Sequence, residues 1–283
     1  MNFKRIGIID TFLISDITKS WYLFNSNYTI GTLYFRKDIL NYEYTIVDKT
    51  LIIKTKINGK INFFYPIGEN VLNAMKMIES YCKKRNIKIR YCCLNYFMKK
   101  DIYSYYKDAV KGNTLMSIYN DYMCDIDRLI YLKKDFYKSF RNSKNLFIRK
   151  HKDYKIINLT KEDLLDFKDY KCFKNNFDFY KLIKCFNEVS KFNFTFEGLL
   201  VDNKVVCIFV IERISDTIFI QDIRFMYGYS NAVYVLLHEI AKKYIVDGVK
   251  FIDFGPDYNN SLLKSKILRL KPNFYSEKYS AII

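Results

Sequence analysis

A chain of 283 residues that is 50% hydrophobic and 18% aromatic, with only three prolines and nine glycines, can bury a large core and is excluded from the disordered class. Its formal charge of +17 points to phosphate-bearing partners, meaning nucleic acid, anionic lipid head groups or a nucleotide-carrying substrate, without choosing among them, and the excess of Lys, Ile, Asn and Tyr is also what A- and T-rich coding produces. Seven cysteines without a C-x-x-C pair and two histidines, His151 and His238, exclude a disulfide framework and a zinc site, so no metal is expected. No apolar run is long enough to cross a bilayer and the start has no secretory pattern, so the expected location is the cytoplasm, with peripheral contact at the inner membrane surface left open.

Across 42–66, YEYTIVDKTLIIKTKINGKINFFYP alternates and then clusters β-branched and aromatic residues, with Asn58-Gly59 where a tight hairpin turn belongs, which predicts two or three antiparallel strands. Val71, Leu72, Met75, Ile78 and Tyr81 then recur at helical spacing, predicting a helix with a buried stripe and a basic end. IKIRYCCL, 87–94, reads as a strand. Residues 127–151 read as one helix, YKIINLT (154–160) as a short strand, Thr160 as a cap followed by acidic residues, and about 161–191 as helical. A three-strand meander follows over 194–225, with a turn at Asp202-Asn203, a turn at Asp216 and the doubly apolar central run VVCIFVI. Then come a turn around Gly228, a helix over 231–246, and the strand VKFIDFG.

Hairpins leading into a turn, a helix and a further strand are the order of the GNAT acyltransferase fold, and the first half has a looser version of it. The resemblance is carried further by NYTIGTLYFRKD (27–38), FFYPIGEN (63–70), DYMCDIDRLIYLKKDFYKSFRNSKNLF (121–147), GLLVDNKVVCIFVI (198–211) and FIDFGPDYNNSLLKSKILRLKPNFYSEKY (251–279). In these stretches, nearly end to end, the chain resembles the phosphatidylglycerol lysyltransferase C-terminal-like family. The resemblance implies an α/β (α+β) chain of two GNAT-like halves, each a mixed, mostly antiparallel sheet flanked by helices, divided here as 1–118 and 119–283 with the active site in the second half. It also implies transfer of an amino acid from a charged tRNA to a lipid head group. Lysines in an L-x-K-x-K-like run before a proline lie near that family's substrate pocket, and Lys264 and Lys266, ahead of Pro272, match with spacing one residue too long.

Acyl transfer needs an acceptor stripped of its proton, a group that stabilises the oxyanion, and a cationic grip on the donor's phosphates. For the grip, Lys134, Lys138, Arg141, Arg149 and Lys152 fall near one face if 127–151 is a continuous helix; an ordinary amphipathic surface helix would look the same. Asp253 at a strand end, Asp257 beyond the Gly-Pro turn, and Lys264 and Lys266 make a second collection. Candidate bases are Asp253 and Asp222; Arg224 alternates onto the face of Asp222, where an ion pair would keep that carboxylate ionised and weakly basic. Glu239 reads as a surface partner of Lys243, and His238 as a half-buried, satisfied ring. In the turn, Gly228 could open backbone amides to an anion, Tyr229 could protonate a leaving group, and Ser230 is the expected helix cap.

An acetyl-CoA cradle of the GNAT type runs Arg or Gln, two residues, Gly, one residue, then Gly or Ala. Here Arg224 to Gly228 is one residue longer and Ser230 replaces the second small residue, which turns the expectation from acetyl-CoA to a bulkier donor. Three functions stay open at this level: an aminoacyl-tRNA-dependent transferase acting on a lipid or other small acceptor, an acyl-CoA-dependent N-acyltransferase, and a non-catalytic binder of anionic membrane or nucleic acid. None of them requires a resident cofactor, the donor being a substrate.

Overall fold

The computed structural model describes residues 1–19, 25–107, 110–115, 120–168, 172–173, 179–192, 194–256 and 261–283. The chain forms two compact units, Met1–Asp121 with Ser276–Ile283, and Tyr122–Tyr275.

In the first unit the strands run in the order Lys4–Arg5, Glu43–Val47, Thr50–Ile57, Lys60–Phe63, Arg90–Leu94, Tyr279–Ile282 and Val110–Leu115, with Ile67–Gly68 beside Thr50–Ile57. Pairing is antiparallel except where Phe63 meets Tyr91. Asn58 and Gly59 both take positive φ, 51° and 74°, and join Ile57 to Lys60 directly, the tight hairpin that this dipeptide favours. Helix Val71–Lys83 starts on Asn70, whose side chain accepts the N–H of Asn73, and it buries Ala74, Met75, Ile78, Tyr81 and Cys82. Leu72, expected in the buried stripe, is instead 59% exposed, because the buried side of the helix runs through Ala74, Met75, Ile78, Tyr81 and Cys82 and Leu72 lies off it. Tyr279–Ile282, which the division at 118 assigns to the second half, pairs with Arg90–Leu94 and Val110–Leu115 in this first sheet.

In the second unit the order is Phe274–Ser276, Asp121–Asp125, Phe251–Asp253, Thr217–Met226, Lys204–Ile214, Phe194–Val201 and Lys155–Asn158, with Cys172–Phe173 beside Thr217–Met226. Thr217–Met226 and Phe251–Asp253 are parallel, and the meander around them is antiparallel as expected. Asp202 and Asn203, at φ 50° and 60°, turn Val201 into Lys204. Helices Ile126–Tyr131, Lys138–Lys150 and Ala232–Ile245 cover one face of the sheet and share an apolar core with it that includes Leu129, Phe140, Phe147, Phe209, Ile211, Ile218, Leu236 and Ile252.

Two helical expectations are corrected. Residues 127–151 do not form one helix: Leu132 turns left-handed at φ 47°, and a 3-10 turn at Asp135–Tyr137 intervenes before Lys138, so Lys134 and Lys152 fall outside the helix that was to align them. The region 161–191 divides into helices Lys161–Lys168, Phe179–Lys184 and Phe186–Val189, with the short strand Cys172–Phe173 between the first two. Thr160 does cap the first of these, its Oγ1 accepting the Asp163 N–H at 3.2 Å while Asp163 Oδ2 accepts the Thr160 N–H at 2.8 Å. Among the described residues no helix is long and apolar enough to cross a membrane.

Candidate functional site

Three neighbouring strands of the second sheet assemble a polar face. Glu212 pairs with Phe219, and Phe219 with Asp253, so these three residues form one row across the sheet. Their neighbours Ile211, Ile218 and Ile252 belong to the core beneath helix Ala232–Ile245, which puts the row on the opposite face. Strict alternation from Phe219 would return Asp222 and Arg224 to the apolar side. A β-bulge prevents this: Ile211 pairs with Ile220 and Val210 with Asp222, so Gln221 is an extra residue, and Asp222 and Arg224 emerge on the face of Phe219.

Glu212, Gln221, Asp222, Arg224 and Asp253 are each 5% exposed or less. Arg224 Nε donates to Asp222 Oδ2 at 2.6 Å, and its guanidinium lies 4.0 Å from the centre of the Phe179 ring. Gln221 Nε2 donates to Glu212 Oε2 at 3.0 Å. Asp253 Oδ1 accepts the N–H of Gly255 at 2.7 Å, and Gly255 takes φ 69° in the turn that follows. Buried charge of this kind is retained only where it is paired and hydrogen-bonded, and an electrostatic group is worth most in such a low-dielectric position.

The strand Thr217–Met226 leads into an exposed turn. Met226 O accepts the Tyr229 N–H at 3.0 Å, Tyr229 O accepts the Ala232 N–H at 2.9 Å, and Gly228 sits at φ 90° with open space where a Cβ would lie. Ser230, the expected cap, is exposed, because the turn closes one residue later than the spacing suggests. Asn231 holds the N-cap position, and its side chain makes no capping bond. The Tyr229 ring packs against the apolar core and meets His151 at a tilt, 5.4 Å between centroids, while His151 meets Phe147 in another tilted contact at 4.7 Å. Tyr229 is therefore on the core side, away from the row of Asp253.

The proposed cationic grip is dispersed. Lys138 is exposed at the first position of its helix. Arg141 donates from Nη1 to the carbonyls of Leu132 and Lys134, the latter at 2.9 Å, so it holds the left-handed turn that breaks the expected helix. Lys264 lines an open groove of about 430 Å³ along helix Ser261–Arg269 with Ser261, Ser265, Arg269 and Lys271. Asp257 and the Lys266 side chain lie outside the described residues. Glu239 pairs with Lys242 at 3.1 Å rather than with Lys243, which reaches the buried Glu197 at 2.7 Å.

Two clusters escaped the sequence. Lys144 Nζ lies 3.2 Å from His238 Nε2, and His238 Nδ1 is 2.8 Å from Leu129 O. A carbonyl can only accept, so Nδ1 carries the proton and Nε2 presents a lone pair to Lys144. Burial holds the His238 pKa below its ordinary 6.5, and burial likewise lowers the Lys144 amine, opposed by Glu239 and reinforced by Lys242. In the first unit, Lys278 and Asp121, both fully buried, pair at 2.7 Å. The only sequence signal for either cluster is a lysine or histidine near apolar residues, which is too common to single out. Among the described residues no group of His, Cys, Asp and Glu is arranged to hold a metal.

Mixed sheets flanked by helices, with a meander, a turn, a helix and a parallel strand in succession, define a tandem GNAT-like architecture. The chain belongs to the family described as phosphatidylglycerol lysyltransferase, C-terminal, whose model matches residues 22–256. Among solved structures, a conserved protein of unknown function from Bacteroides thetaiotaomicron superposes with TM-score 0.84 at 17% identity, over 100% of this chain and 99% of that one. L-PGS from Bacillus licheniformis gives 0.68 at 13% identity, over 98% and 93%. FemX gives 0.61 at 9%, over 100% and 98%. No curated protein sequence matches significantly.

Proposed function

We propose that this chain is an aminoacyltransferase that moves an amino acid from a charged tRNA to the head group of an anionic lipid or another small acceptor, at the polar face of the second sheet. The observation that carries the reading is that face itself: Glu212, Gln221, Asp222, Arg224 and Asp253, buried together on the side of the sheet turned away from helix Ala232–Ile245. Ester aminolysis or transesterification asks for a carboxylate to take the acceptor's proton and a cation near the developing oxyanion. Asp253 fills the first role. Arg224, steered by Asp222 and supported by Phe179, fills the second. Family membership over most of the chain supports the aminoacyl donor, and the charge of +17 supports a long polyanion.

A second reading has one observation in its favour. The turn at 226–231 is exposed and runs into a helix start without a side-chain cap, a place where backbone N–H groups donate to phosphate oxygens, as an acyl-CoA donor would need. The longer spacing from Arg224 to Gly228 weighs against it.

The experiment is a donor competition. Purified protein is incubated with labelled aminoacyl-tRNAs and acyl-CoAs, with phosphatidylglycerol vesicles and small amines as acceptors. Transfer from a charged tRNA, lost in Asp253→Asn, supports the proposal. Consumption of acyl-CoA alone, or of neither donor, refutes it.

A further inference from the structure

We infer that Lys144 is a nucleophilic amine served by His238 as its base, and that it is a site of covalent acylation by activated acyl esters or thioesters. This inference does not depend on the transfer reaction proposed above. It rests on an arrangement of nucleophile, base and orienting group: the Lys144 amine at 3.2 Å from Nε2, and Nδ1–H donating to the Leu129 carbonyl at 2.8 Å. Three elements fix it. Lys144 projects from helix Lys138–Lys150, His238 from helix Ala232–Ile245, and Leu129 from helix Ile126–Tyr131.

The Leu129 carbonyl locks the His238 tautomer, so Nε2 is the atom able to receive a proton. An ordinary lysine is protonated at neutral pH and does not attack. Here burial disfavours the cation; Glu239 opposes that shift while itself pairing with Lys242 at 3.1 Å, and Lys242 adds a smaller push in the same direction as burial. Tyr154, the other titratable group close by, feels the same two residues and is held neutral by burial. Desolvation thus raises the fraction of Lys144 present as free amine. Lys144 remains partly exposed, so a small acyl donor can reach it.

The step balances without an oxidant or reductant. The neutral Nζ attacks the acyl carbon, a C–N bond forms, and Nζ passes one proton to His238 Nε2. The C–O or C–S bond then breaks, and the departing alkoxide or thiolate takes that proton. The product is an amide, stable and uncharged, at a position that was basic.

The test uses acetyl N-hydroxysuccinimide ester at substoichiometric dose, with occupancy of each lysine read by peptide mass spectrometry from pH 6 to 10. Lys144 is expected to acylate at least about tenfold faster than exposed Lys138 at pH 7, a figure set below the roughly 10²–10⁴-fold of general-base assistance because Lys144 is the less exposed amine. Its rate should also rise at lower pH than that of Lys138. In His238→Gln the advantage should fall to near unity while Lys138 is unchanged, with folding checked by circular dichroism. Equal rates and parallel pH profiles for the two lysines in the wild-type protein overturn the inference whether or not the variant folds, and so does a folded variant in which Lys144 stays fast.

Discussion

Replacing Lys278 by Met should destabilise the first unit far more than loss of a typical lysine. Its ammonium is fully buried against a fully buried Asp121 at 2.7 Å, and it also donates to Ser276 Oγ at 2.8 Å. Asp121 in turn accepts the Ser26 hydroxyl at 2.5 Å and the Ser26 N–H at 3.0 Å. Methionine fills much of the lysine volume but leaves a carboxylate inside the protein with the two Ser26 donors, among the described residues, to replace water. Breaking one side of a buried pair costs about 3–5 kcal/mol, whereas exposed pairs are worth roughly 0–1 kcal/mol. Because Lys278 directly precedes the strand Tyr279–Ile282, the loss should appear locally as well as globally. Urea unfolding gives the magnitude, and hydrogen exchange at 279–282 gives the place. The double variant Asp121→Leu with Lys278→Met removes both charges and should recover most of the loss, since apolar pairs substitute well for buried ion pairs. A single-variant cost below about 1 kcal/mol, or a double variant as poor as the sum of the singles, would refute the reasoning.

Arg224→Gln should abolish transfer and cost a few kcal/mol, about 3–5 by the same physics, because Asp222 stays buried beside it; Lys138→Ala, on an exposed helix start, should leave stability within about 0.5 kcal/mol. The depressed His238 pKa makes a signed prediction. The unfolded state takes up a proton near pH 6.5 and the folded state only at lower pH, so stability is complete above 6.5 and declines as pH falls below it, by at most about 1.4 kcal/mol per unit. That slope should be absent from His238→Gln and therefore appear in the difference between wild type and variant in urea melts from pH 5 to 7.5. Gly228→Ala meets no neighbour, so only backbone strain at φ 90° remains, about 1–2 kcal/mol, and a thermal shift much larger than that would mean the turn is packed. Cys207 and Cys124 are buried with thiol pKa values pushed up, Cys124 to about 12, and should resist Ellman's reagent until the protein unfolds.

Much of the fold was legible where the chemistry is local. Asn58-Gly59 and Asp202-Asn203 each require positive φ and accept it cheaply, so their hairpins could be read from two residues. The break at Leu132 could not, because residues 127–151 keep helix-forming composition across it and the turn is held by Arg141, a residue nine positions on. The candidate site was half legible. Asp222 and Arg224 were placed on one face by alternation, but which face depended on the extra residue Gln221, and bulges depend on the partner strand. Asp253 joins them only through the parallel pairing with Phe219, set by the long crossover 227–250. Lys144 and His238 are 94 residues apart and meet through tertiary packing alone.

The positions of the two chemical centres in the second unit decide how they relate. Asp253, Asp222 and Arg224 occupy one face of the sheet, while Lys144 and His238 come from helices packed on the other. A β-sheet is a closed layer of backbone, so an acyl group on Lys144 has no path through it to an acceptor beside Asp253. On the two proposals made above, acyl-Lys144 would be a modified form of the protein and not an intermediate of transfer, and transfer should proceed by direct attack of the acceptor on the donor. The kinetics separate these cases. Direct transfer gives initial-rate lines that intersect as donor and acceptor are varied, and Lys144→Arg should leave the transfer rate within twofold of wild type, the usual limit for a surface change remote from the chemistry. Parallel lines together with an inactive Lys144→Arg would place the amine on the reaction path and would require the polar face to be reassigned.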